Sequence, residues 1–336
     1  MAMALSAALR EIKNYGHRTQ GIYSNTDINS FELMLPSAQA EPMTARQNIR
    51  AFLALANCEL SPGGKGLPIN PESSSDHWCK RTLNREGVSQ FLINNHQILT
   101  TLNKAAQQAA AAYRDGSNTK NSSYFVSIES ISRQQHLKSA LEQLNHQADG
   151  LNLCSYSNGV LTFMNEESAA YLGGKWLEEW VWLQLKDLGC DDFVVGAKVR
   201  WRGSQSDNEF DALVAHNNRL LIIECKSGEQ TDGSWQKASS TVYSLGSKGH
   251  HAASLFGQRL LLAANWLDES LLARAEEYNI TVLGRRNTQR PKKYKNSIDT
   301  YLCNGPHELK AMVKEWMNTG RLTIAGQRSP RRHLQS

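Results

Sequence analysis

The spacing of apolar and polar positions changes period along the chain, and each change marks an element. MAMALSAALREIKNYG carries apolar residues at helical spacing and predicts a helix ending near Gly16, with Arg10 and Lys13 in its last turns, where they suit the helix dipole. RTQGIYSN and FELMLPS follow as strand material around a Thr26-Asp27 turn. TARQNIRAFLALANC returns to the helical period, with Thr44 as the expected N-cap and Ile49, Phe52, Leu53 and Leu55 on or near one face. Pro, Gly and Ser then concentrate between Ser61 and Ser75, which predicts a linker. From Asp76 to about Gly150 the pattern is helical and polar, including NKAAQQAAAAYR, with DGSNTKNSS as a loop inside it.

Beyond that point short strands alternate with helices. LNLCSYSNGVLTFMN has a period of two around Ser157-Asn158-Gly159, a hairpin-turn signal. NEESAAYLGGKWLEEWVWLQLKDLG predicts a helix with Leu177, Val181, Leu185 and Leu188 at helical spacing and Gly189 as its stop. DFVVGAKVRW reads as a strand, and NEFDALVAHNNRLLIIECKSG, Asn208 to Gly228, as a hairpin turning at His216-Asn217-Asn218-Arg219. KASSTVYSLGSKGHHAASLFG is helical in part; QRLLLAAN and ITVLG are strands, and DESLLARAEEYN and PHELKAMVKEWM are helices. The C-terminal half is therefore α/β, a sheet core with helices on it.

One hairpin strand breaks its own pattern. Leu220-Leu221-Ile222-Ile223 runs straight into Glu224-Cys225-Lys226, and charge in a buried strand is costly unless it is paired or coordinates a metal. Side chains alternate faces along a strand, so Glu224 and Lys226 share a face while Cys225 points to the other, and the turn folds Asp211 back toward them. Two carboxylates on neighbouring strands, with the backbone carbonyl of Cys225 between Glu224 and Lys226, make an all-oxygen set suited to Mg²⁺ or Mn²⁺. Glu178, on the preceding helix, is placed to supply another ligand, directly or through water. A cation lowers the pKa of water and offsets phosphate charge, while Lys226 orients that water or stabilises the transition state; phosphodiester hydrolysis needs all of these. The alternative for the same residues is a surface hairpin with an ordinary Glu-Lys pair.

Composition narrows the picture further. With 336 residues and 40% hydrophobic content the chain holds about two domains. No apolar run approaches the roughly 18 residues of a membrane span, and no basic segment precedes the apolar opening, so a cytoplasmic protein with no membrane partner is expected. Cys58, Cys79, Cys154, Cys190, Cys225 and Cys303 are scattered without a CxxC pair, which suits a reducing compartment and argues against structural zinc. Gly63 to Gly66, GGKG, lacks the spacing of a phosphate loop. The formal net charge is +5, and its distribution matters more: RRNTQRPKKYK, Arg285 to Lys295, is basic with no acid, suited to a phosphate backbone or to a solvated loop.

Taken together, Asp211 and Glu224-x-Lys226 resemble the PD-(D/E)xK restriction-endonuclease-like fold. Residues about 150 to 286 are similar to the nuclease half of the CARF-domain nucleases of type III CRISPR systems, ancillary endonucleases activated by cyclic oligoadenylate. NGVLTFMNEE, GGKWLEEWV, NEFDALVAHNNRLLIIECKSG and RAEEYNITVLG carry the likeness. The resemblance implies metal roles for Asp211 and Glu224, a catalytic role for Lys226, and support from Glu178 and Glu209. It also implies a DNA or RNA substrate, a role in antiviral defence, a homodimer and a cyclic-oligoadenylate activator. Val242-Tyr243-Ser244-Leu245 stands where the family usually has Leu-Tyr-Lys-Leu, with Lys248 a turn further on. Residues 1–60 resemble only the end of the family's Rossmann-like CARF domain, so a partial remnant with its front half missing is expected there. Residues 61–150 are then a linker and helical connector, and 151–336 the nuclease-like domain. A restriction or repair nuclease without a nucleotide signal, and a catalytically dead nucleic-acid-binding module, remain as alternatives.

Overall fold

The computed structural model describes residues 22–25, 30–33, 39–42, 46–61, 77–114, 124–127, 135–228, 240–247, 257–267, 269–286 and 305–322. The expected first helix, Thr44, the GGKG turn, Lys248 and most of the basic run lie outside them. Strands β1 (Ile22–Asn25), β2 (Ser30–Leu33) and β3 (Gln39–Pro42) form an antiparallel sheet in chain order. Helix α1 (Ile49–Leu55) is capped by Asn48, whose side chain accepts from the amide of Ala51. Strand β4 (Cys58–Leu60) follows directly.

The expected helical connector contains α2 (His77–Asn84), α3 (Glu86–Asn94) and α4 (Leu99–Arg114), then β5 (Tyr124–Ser127) and α5 (Gln135–Gln147). Only β5 departs from the sequence reading. It lies beside the expected hairpin of β6 (Cys154–Ser157) and β7 (Val160–Phe163), giving a three-stranded sheet of order β5-β7-β6. Four residues are too few for a periodic signal, and the pairing that makes them a strand lies over thirty residues downstream. The β6–β7 turn has Asn158 and Gly159 at φ +50° and +76°, the left-handed pair a two-residue hairpin demands.

The predicted helix from Asn165 is broken. Helix α6 (Glu166–Ala170) passes through a wide turn at Tyr171–Lys175, where Gly174 has φ +156°, into α7 (Trp176–Leu185). Next come β8 (Asp192–Trp201), β9 (Asp207–His216), β10 (Arg219–Lys226), helix α8 (240–247) and β11 (Gly257–Leu267). Helix α9 (Glu269–Glu277), β12 (Thr281–Arg286) and α10 (Leu309–Thr319) are the last elements among the described residues.

The main sheet has six strands in the order β12-β11-β10-β9-β8-β4. β10, β11 and β12 are parallel to one another, and the remaining pairs are antiparallel. Its edge strand, β4, comes from before the expected boundary at residue 60. Leu221, Ile223, Leu260 and Leu262 pack on one face against α3, α4, α7 and α10. Leu220, Ile222, Leu261 and Ala263 pack on the other against α1, α8 and α9. The continuous apolar run of β10 is thus explained by a central strand covered on both sides.

Candidate functional site

The hairpin turn closes at Asn217 and Asn218, both left-handed at φ +49° and +58°. From it β9 and β10 pair in register as far as Ala212 opposite Ile223. There they separate: β10 stays paired to β11 through Lys226, and β9 stays paired to β8 through Asp207. Asp211 and Glu224 stand at the point of divergence. The amide of Cys225, past the last β9 pair, donates to Asp211 Oδ2 at 2.7 Å. A carboxylate oxygen thus takes the ladder's place at the fork.

Gly196 shapes the same point from β8. It lies between the pairs Val195–Ala212 and Ala197–Phe210, opposite Asp211, and its φ of +63° is open to glycine without strain. Val195 and Ala212 belong to one face of the sheet, whereas Ala197 and Phe210 belong to the other. Residues two apart share a face in a regular strand, so both strands reverse their alternation here. Glu178 Oε2 fills the space over Gly196, 3.7 Å from where a Cβ would stand. The helix carrying Glu178 is held close by bare backbone: a Cβ on Gly173 would meet Ala106 at 2.8 Å, and one on Gly174 would meet Ser227 at 3.0 Å.

Charge in this cluster is unbalanced. Burial, then Asp211 and Glu209, push Glu178 up to about 8. Burial, then Glu224, push Asp211 up to about 7. Lys226 Nζ donates to Glu224 Oε1 at 2.7 Å. Burial pulls this lysine down, but Glu224 and Asp211 outweigh it and leave its pKa raised. Lys226 is therefore a cation at neutral pH.

The structure places Asp211, Glu224 and Lys226 at the fork and Glu178 over Gly196, with Glu209 exposed at the rim of the same cluster. Cys225 turns its side chain to the face of Leu221 and Ile223, where burial raises its thiol well above the usual range. Among the described residues no three His, Cys, Asp or Glu side chains converge as a metal site. Glu224 is engaged by Lys226 and Asp211 by the Cys225 amide. Two oxygen-bearing side chains with a carbonyl and water nonetheless satisfy a hard cation such as Mg²⁺, and surplus buried negative charge is what such an ion offsets.

A cleft of about 470 Å³ adjoins the cluster, sharing Glu178, Gly196 and Glu209 with it and lined further by Trp78, Arg81, Arg85, Glu167, Tyr171 and Glu179. Arg85 Nη1 lies 3.5 Å from Glu179 Oε1. Burial pushes Glu179 up to about 7 against the opposing pull of Arg85 and Arg81. Sequence reading missed Gly196, Arg85 and Glu179. Only the first left a signal, as a glycine inside a strand pattern.

The main sheet is a mixed, six-stranded one with helices on both faces, and its central hairpin opens over carboxylates and a lysine. Residues 165–300 match the family model described as the Card1-like endonuclease domain, which places the likeness to a nuclease in the C-terminal half. Solved structures extend the likeness in fold. Protein VC1899 from Vibrio cholerae matches with a TM-score of 0.62 at 19% identity, over 94% of this chain and 73% of its own. Can2 from Sulfobacillus thermosulfidooxidans, solved with cyclic tetra-adenylate, matches with a TM-score of 0.59 at 15% identity, over 92% of this chain and 70% of its own. The sequence has no match among curated proteins. No helix among the described residues is long and apolar enough to cross a membrane.

Proposed function

We propose that this protein is a metal-dependent endonuclease that hydrolyses phosphodiester bonds of DNA or RNA in CRISPR-linked antiviral defence. The observation that carries the reading is the fork between β9 and β10, which sets Asp211, Glu224 and Lys226 side by side with Glu178 above them. Asp211, Glu224, the Cys225 carbonyl and Glu178 would hold Mg²⁺ or Mn²⁺. When bound, the ion supplies Lewis acidity and a lowered water pKa.

The protein's own groups do the positioning. The Cys225 amide fixes the Asp211 carboxylate, and Glu224 fixes the Lys226 ammonium. Because Lys226 is held protonated, its role is to stabilise negative charge on the phosphoryl group, not to remove a proton. In the metal-free protein the raised Asp211 and Glu178 favour their protonated forms near neutrality, so metal loading releases protons and strengthens as pH rises.

Activation by cyclic tetra-adenylate is part of the proposal. It is supported by likeness in fold to Can2, which binds that nucleotide. The test is cleavage of single-stranded RNA, single-stranded DNA and supercoiled plasmid with Mn²⁺ or EDTA, with and without cyclic tetra-adenylate, with the Glu224→Ala protein as control. Cutting that needs both metal and Glu224 is expected, with stimulation by the nucleotide. Failure to cut any substrate, or equal cutting by the variant, overturns the reading. A rate indifferent to the nucleotide removes the activation step alone. The same preparation's mass in solution reads out the homodimer that belongs to this proposal.

A further inference from the structure

The cleft beside the carboxylate cluster holds groups that the hydrolytic chemistry does not use. Arg85 and Glu179 meet in its wall with 8% and 4% of their surface exposed. Their contact, at 3.5 Å, is at the limit of a hydrogen bond. The Arg85 guanidinium also lies over the Tyr171 ring, 4.5 Å from its centroid, and the Tyr171 hydroxyl is 2.9 Å from that of Ser89. Glu179 Oε2 and the neighbouring Thr82 hydroxyl are both buried, and Thr82, with Arg85 and Arg81, opposes the rise that burial gives the Glu179 carboxyl. A carboxylate this buried is costly unless it is paired, and Glu179 stands in the wall of a space of nucleotide size.

The chemistry of the walls selects the occupant. Arg81, Arg85 and Lys175 stand there among five glutamates, with Glu167 paired to Arg81 and Arg85, unlike the uniformly basic track that follows a phosphate backbone. A neutral planar group with donors and acceptors along one edge fits such a wall. Trp78 adds an apolar surface, held edge-on against Trp182 with ring centroids 5.8 Å apart. Glu178 and Glu179 are adjacent on α7, so the cluster and the wall are joined by one turn of helix.

We propose that this cleft is a base-binding subsite: the nucleotide beside the scissile phosphate leaves its stack, its base lies against Trp78, and its polar edge pairs with Glu179 and Arg85. The proposal rests on the nuclease reading of the adjoining cluster. It implies a preference for single-stranded or unpaired nucleic acid, because a base that must unstack is cheapest to extract there.

Two measurements test it. In the first, an abasic site is moved along a single-stranded substrate cut by the wild-type protein. At one position beside the cut, cleavage falls about tenfold or more. Trp78→Ala cuts the intact strand more slowly and no longer responds to the abasic site, which a purely structural defect would leave in place. In the second, the Glu224→Ala protein is photocrosslinked to a single-stranded oligonucleotide carrying 5-iodouracil, and the crosslinked peptide is identified by mass spectrometry. The peptide containing Trp78 is expected. Cleavage without position-dependent abasic sensitivity, or crosslinks confined to other peptides, overturns the subsite while the nuclease reading stands. No cleavage together with a Trp78 crosslink sinks the nuclease reading and keeps the subsite.

Discussion

Asp211→Asn should make the metal-free protein more stable at pH 8, although it removes a residue of the site. Burial, helped by Glu224, lifts the Asp211 carboxyl from 3.8 to about 7. A difference of about three pKa units at about 1.4 kcal/mol each sets an upper figure of about 4 kcal/mol for ionising this group in the folded state. Asparagine still accepts from the Cys225 amide, but loses roughly 1 kcal/mol of the charge-assisted bond. The expected net gain is therefore about 2–3 kcal/mol, or roughly 5–10 °C in Tm for a cooperative unit of about 200 residues. The sign with pH follows from linkage. A folded pKa above the unfolded one contributes stability that is full below about pH 4 and lost as pH rises through about 7. The variant's advantage should therefore open between those limits and be constant above pH 8. Thermal melts of both proteins in EDTA from pH 4 to 8.5 measure it, and Mn²⁺ should then raise the wild-type Tm but not the variant's. A variant less stable than wild type at pH 8 in EDTA, or a gap that does not change with pH, would refute the account of an unbalanced buried charge.

Five other substitutions probe the same hairpin and its neighbours. Asp211→Ala and Glu224→Ala should abolish cleavage while leaving a cooperative melt, and Lys226→Ala should lower kcat by about 10²–10³-fold, as loss of a charge-stabilising donor does. Gly196→Ala places an L side chain at φ +63° and a methyl 3.7 Å from Glu178 Oε2; it should cost about 1–2 kcal/mol in urea unfolding and slow cleavage as well. Asn218→Ala removes a left-handed turn residue that also accepts from the Gln47 amide at 2.8 Å; a loss of about 1–3 kcal/mol in the urea midpoint is expected, with kcat little changed.

How much of this was legible depends on the range of the interaction that fixes each feature. Asp211, Glu224 and Lys226 were legible because a period-two pattern and a tight turn are local, and a charge ending an all-apolar run contradicts its surroundings. The same local rule misleads at Gly196. Strict alternation puts Val195 with Ala197, and Phe210 with Ala212, on single faces, yet each pair divides between opposite sides of the sheet. What reverses them is a backbone angle, and sequence registers it only as one glycine in a strand. Arg85 and Glu179 left no signal: they are 94 residues apart, Arg85 in a stretch that reads as polar helix and Glu179 beside Glu178 at the start of an apolar one. The hydrolytic centre is thus written in short-range pattern, whereas the cleft beside it comes from packing the helical connector against α7. A substitution within the connector, such as Ala106→Leu at the residue that a Cβ on Gly173 would meet at 2.8 Å, can therefore alter substrate fit without touching the fork between β9 and β10.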